Sequence, residues 1–94
     1  MHVLRIEHPV PSFDGWKKAF DRDPIGRKQM GVRRYRVFQP VDDLDFAAVD
    51  LEFDSAAEAE SCRSALIRLW GRVEGSVMRD PRVRKLAVVE DAAP

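Results

Sequence analysis

The sequence predicts one α+β domain in which four short strands form an antiparallel sheet and two helices cover one face, in the order strand, helix, strand, strand, helix, strand. Three observations carry this expectation. Four short runs alternate apolar and polar residues, two stretches between them repeat apolar residues at three-to-four spacing, and clusters of Pro, Gly and Asp separate the segments. At 94 residues, with 45% hydrophobic and 34% charged content, the chain has the size and make-up of a single core spanning 1–94.

Residues 2–8 alternate, with Leu4 and Ile6 on one face and Val3, Arg5 and Glu7 on the other, until Pro9 and Pro11 stop the ladder. Ser12 is placed to cap a helix in which Phe13, Trp16 and Phe20 form one face while Lys17, Lys18 and Asp21 point outward, ending near Arg22. Asp23-Pro24 breaks that helix, because the residue before a proline is pushed out of the α region, and 23–31 reads as an irregular connection. Residues 32–39 and 46–53 read as the two strands of a hairpin around the turn formers of 40–45. Ser55 and Glu58 make a capping box ahead of Ala59, Cys62, Leu66, Leu69, Trp70 and Val73, the apolar stripe of a second helix. Gly71 and Gly75 weaken its end, Asp80-Pro81 marks a turn, 83–90 alternates again with Leu86 and Val88 on one face, and 91–94 is a frayed tail.

Sixteen basic residues balance sixteen acidic ones, so no field of one sign recruits nucleic acid or an anionic membrane. The start carries no charged leader followed by an apolar run, and a cytoplasmic location is expected. Cys62, alone of its kind, reads as a small core residue.

Two right-handed crossovers place both helices on the same face of the sheet. The expected core is Leu4, Ile6, Tyr35, Val37, Val49, Leu51, Phe53, Leu86 and Val88. The opposite face then carries Val3, Arg5, Glu7, Val32, Arg34, Arg36, Phe38, Phe46, Ala48, Asp50, Glu52, Val83, Lys85, Ala87 and Val89. Such a mixture of apolar residues and charges is expected to be covered by a second copy. In the hairpin, residue pairs summing to 86 set Arg36 opposite Asp50 and Arg34 opposite Glu52, and a sum of 84 sets Arg34 opposite Asp50. Either register cancels charge locally across the strands.

This order of elements, with apolar positions on both sheet faces in a chain of this length, resembles the ferredoxin-like dimeric α/β-barrel superfamily. Its members include antibiotic-biosynthesis monooxygenase-like, muconolactone isomerase-like and stress-responsive small proteins. The resemblance covers nearly the whole chain and rests on pattern. It implies a homodimer whose sheets pack face to face, with a pocket near the sheet for a small hydrophobic or aromatic ligand. The monooxygenase-like members are associated with an Asn, Trp and Arg set, and this chain has no asparagine, so Trp16 is not matched to it. Haem would need an axial ligand, for which only His2 and His8 are available; no cofactor is assigned.

His8, before Pro9, and Asp14, at the start of the first helix, are the candidate general-base pair; the plainer reading of His8 is a partly exposed strand-end histidine. His2 and His8 lie six residues apart and no CxxC or HxxxH spacing occurs, so no metal is assigned. Arg34, Arg36, Asp50 and Glu52, with Arg5 and Glu7 beside them, are candidates to hold an acidic or polar ligand or, alternatively, an ion-pair network setting dimer register. Trp16, Tyr35 and Trp70 are candidates to line an apolar pocket or simply to fill the core. Arg27-Lys28 and Arg33-Arg34 lack a glycine-rich loop with phosphate-binding spacing. The function expected is binding, with or without turnover, of a small apolar or aromatic molecule. The rival is a non-catalytic ligand-sensing or interaction module of the ACT type, to whose glycine-bearing first loop Gly15 is a loose match.

Overall fold

The structure, a computed structural model, describes residues 1–73 and 81–94. Strand β1 spans His2–Pro9, helix α1 Phe13–Asp21, β2 Arg34–Phe38, β3 Phe46–Phe53, helix α2 Ala56–Val73 and β4 Arg82–Ala87. The strands form one antiparallel sheet in the order β2-β3-β1-β4, the ferredoxin-like arrangement that the element order predicts. Gly75 and the Asp80-Pro81 turn concern residues that lie wholly or partly outside those described, as does the side chain of Val73.

Local chemistry starts both helices. The Ser12 hydroxyl accepts from the Gly15 amide at 3.2 Å, and Ser55 Oγ accepts from the Glu58 amide at 3.1 Å while donating to the Glu58 carboxylate. Gly31 takes a φ of +94°, a conformation that favours glycine, and passes so close to this cap that a Cβ there would stand 2.6 Å from Glu58 Oε2 and push the capping carboxylate aside.

The core lies between the sheet and the helices: Leu4 and Ile6 of β1, Ala47, Val49, Leu51 and Phe53 of β3, Trp16 of α1, and Ala59, Cys62, Leu66 and Trp70 of α2. The hairpin takes the register summing to 86. Three expected core positions differ. Tyr35 faces the helices but sits on an edge strand and stays 44% exposed. On β4 the parity is the reverse of the expected one, because pairing with β1 sets Ala87 opposite His2, Lys85 opposite Leu4 and Val83 opposite Ile6. Val83 therefore packs on the core and Leu86 points to the open face, while Val88 lies beyond the strand, 40% exposed. Lys85 tolerates the helix face because its ammonium reaches out to Glu60 of α2 at 2.9 Å. Val32 precedes β2 and packs against the core rather than lying on the open face.

Three rows cross the open face: Arg34, Glu52, Val3 and Leu86; Arg36, Asp50, Arg5 and Arg84; and Phe38, Ala48, Glu7 and Arg82. Arg34 pairs with Glu52 at 2.7 Å. Asp50, although directly opposite Arg36, is held by Arg5 through two bonds of 2.8 and 2.9 Å, and Arg36 lies over the Phe38 ring instead. No helix among the described residues is long and apolar enough to cross a membrane.

Candidate functional site

A cavity of about 390 Å³ opens between the helices and the sheet. Ile6, Val49 and Leu51 form its floor, Trp16, Phe20, Leu66 and Trp70 its helical walls, and Pro24, Ile25 and Arg27 of the α1–β2 connection its outer side. Its walls are almost wholly apolar, as in small-molecule sites, where a few polar groups set orientation. The polar side chains reaching it are those of His8, Arg22 and Arg27, and no carboxylate lines it among the described residues.

The period of α1 builds one wall. Trp16 and Phe20 share a face of the helix one turn apart and stack with ring centroids 5.2 Å apart. His8 meets Trp16 edge-on at 5.7 Å, and the Arg27 guanidinium covers the other end, 3.9 Å from the Phe20 centroid and 4.7 Å from that of Tyr35. A row of rings therefore runs from a buried imidazole to a guanidinium.

His8 is 2% exposed, because its even position in β1 turns it to the helix face beside Ile6. Its Nδ1 lies 3.3 Å from the Pro9 carbonyl oxygen. Burial holds the imidazole below the usual histidine range, with the Pro9 carbonyl opposing the shift. As pH falls below about 6.5 the unfolded chain takes up this proton before the folded one, so the stability contributed by neutral His8 is whole above that pH and is lost on descending to its native pKa. The expected slope from this residue is at most about 1.4 kcal/mol per pH unit. Urea melts of the parent chain and of His8→Phe at about pH 7.5 and about pH 5.5 check it: the variant loses less stability on acidification. An equal loss in both would show that His8 is not buried neutral.

The sequence-derived candidates divide between the two faces of the sheet. His8, Trp16 and Trp70 converge on the cavity. Tyr35 stands just outside, edge-on to Phe20 at 5.3 Å and covered by Arg27. Asp14 occupies the exposed first turn of α1, outside the cavity lining and not hydrogen-bonded to His8. Arg34, Arg36, Asp50 and Glu52 lie on the open face, so they and the aromatic set do not form one site. Pro24, Ile25 and Arg27 are lining residues that no sequence period marks, because they are placed by the fold-back of an irregular loop. Cys62 is buried, and burial pushes its thiol up to about 11, outside nucleophilic range at neutral pH.

No protein-family model matches the chain, and no curated protein matches it in sequence. Solved structures share its backbone. A dimeric ferredoxin-like protein from an uncultured marine organism superposes with a TM-score of 0.70 at 10% identity over 100% of both chains. An antibiotic biosynthesis monooxygenase-like protein from Deinococcus radiodurans gives 0.66 at 9% identity, covering 100% of this chain and 98% of that one. A variant of MhuD, with two manganese protoporphyrin IX molecules bound per active site, gives 0.66 at 15% identity over 100% of each chain. The chain is thus an α+β protein of ferredoxin-like fold whose structural neighbours are dimeric ferredoxin-like and monooxygenase-like proteins, the group its sequence pattern resembles.

Proposed function

We propose that this protein is a homodimer, closed through the open sheet face, that binds a small aromatic molecule in the cavity between helices and sheet. The observation that carries the reading is the cavity itself: about 390 Å³ with apolar walls and a buried histidine among them. A well-packed core of this size leaves few voids larger than a water molecule. The occupation of a neighbour of the same fold by protoporphyrin supports a planar ligand class. Dimeric neighbours, together with Phe38, Phe46 and Leu86 on a face otherwise carrying ion pairs, support the second copy.

A neutral naphthol, added at a hundred times its dissociation constant, is expected to stabilise the fold by about 2.7 kcal/mol, a rise in Tm on the order of 10 °C. Leu66→Trp, which fills the cavity from α2, is expected to remove that rise while leaving the ligand-free Tm near its parent value. If naphthol does not move Tm, or moves that of the filled variant equally, the cavity is not the binding site.

A further inference from the structure

Two of the polar groups on the cavity wall, His8 and Arg27, are held so that each offers a defined bond. A carbonyl oxygen only accepts, so the contact with Pro9 places the His8 proton on Nδ1 and leaves Nε2 with a lone pair. Nε2 has no hydrogen-bond partner among the described residues, and His8 is a lining residue of the cavity, so Nε2 is the acceptor the imidazole has to offer there. It asks for a donor.

The other end of the ring row asks for an anion. Arg27 Nη1 donates to the Phe20 carbonyl at 2.7 Å, its Nε lies 3.6 Å from an Asp23 carboxylate oxygen, and its plane rests on Phe20 and Tyr35. Asp23, at φ +54°, also accepts from the Arg27 amide at 2.9 Å, which fixes the turn that presents the guanidinium. These contacts lock the side chain without using all five N–H donors of the fork, and Arg22 adds a second cation to the lining. Between the two poles lie the stacked pair of Trp16 and Phe20 and the aliphatic floor of Ile6, Val49 and Leu51, an apolar stretch that suits a flat apolar body.

We infer that the cavity takes a planar aromatic compound with a hydroxyl at one end and a carboxylate at the other, the hydroxyl donating to His8 Nε2 and the carboxylate meeting Arg27. This rests on the cavity being the binding site and adds which chemistry it selects. Loss of the hydroxyl leaves the imidazole acceptor unpaired, and loss of the carboxylate leaves the remaining guanidinium donors without an acceptor in the cavity, so each deletion is expected to weaken binding at least tenfold.

Equilibrium dialysis of the full chain against four probes tests it: a hydroxynaphthoate with its groups on opposite rings, the naphthoate lacking the hydroxyl, the naphthol lacking the carboxylate, and naphthalene. The expected order places the hydroxynaphthoate first and naphthalene last. His8→Phe is expected to abolish the difference between hydroxynaphthoate and naphthoate only, and Arg27→Met that between hydroxynaphthoate and naphthol only. The comparison of probes on the parent chain needs no variant to fold. Equal affinity for all four would overturn the polar selection while leaving an apolar binding site in place, and binding of none would overturn both readings.

Discussion

Truncating Phe53 to alanine is expected to cost about 3–5 kcal/mol of folding stability. The ring is completely buried at the end of β3, opposite His2, and belongs to the cluster that joins the sheet to α2. Two costs add: the favourable transfer of the ring from water to core is lost, and the cavity left behind closes incompletely, because its surroundings, the close-packed core that includes Leu4, Leu51 and Cys62, relax only in part. For a chain of this length total stability is about 5–14 kcal/mol, so the loss is a large share of it. The midpoint of urea unfolding should fall with little change in slope. Phe38→Ala, on the open face at an edge strand, serves as the contrast and should cost the isolated fold much less. A Phe53→Ala cost below about 1 kcal/mol would mean that the helix layer is not packed on this end of the sheet.

Reversing the charge of Asp50 is expected to weaken the proposed dimer at least a hundredfold. Five arginines and three carboxylates occupy the three rows of the open face, and Asp50 is the one acid in the row of Arg36, Arg5 and Arg84. Its side chain is 14% exposed and accepts both bonds from Arg5. Asp50→Arg would set four guanidiniums side by side across the sheet, a like-charge array whose burial under a second copy costs several kcal/mol. About 2.8 kcal/mol of this suffices for the hundredfold change. Light scattering across a concentration series should move from the mass of two chains to that of one, with the far-ultraviolet circular dichroism unchanged. Arg84→Glu, which brings an acid into the same row, should leave the dimer intact. Two chains in both variants would place the interface elsewhere.

Much of the fold is legible in the sequence because the signals are local. The alternation in 46–53 matches β3 residue for residue, the capping box starts α2, and the three-to-four spacing of Trp16 and Phe20 turns both rings to one side. Parity in β1 and β3 is legible for the same reason: apolar residues there fall on one face, so a slip by one position would expose the whole set. The last strand shows the limit. Val83, Leu86 and Ala87 place apolar groups at both parities, local pattern does not choose between them, and the choice falls to pairing with β1.

What the sequence by itself determined is therefore the order and type of the elements, the even parity of the hairpin pairing and the presence of aromatic residues on both helices, while the choice between its two registers fell to the folded sheet. The tertiary structure alone decided that His8, at the end of its strand, is buried rather than partly exposed, that Asp50 binds Arg5 rather than Arg36, and that Arg27 closes the row of rings. Each depends on groups distant in sequence or placed by an irregular loop: His8 against Trp16, Arg5 against Asp50 across 45 residues, Arg27 against Tyr35. Periodicity reports which side of an element a residue takes. Which partner it meets there is set by the packing of the whole chain, since cross-strand neighbours and loop contacts have no period to report them.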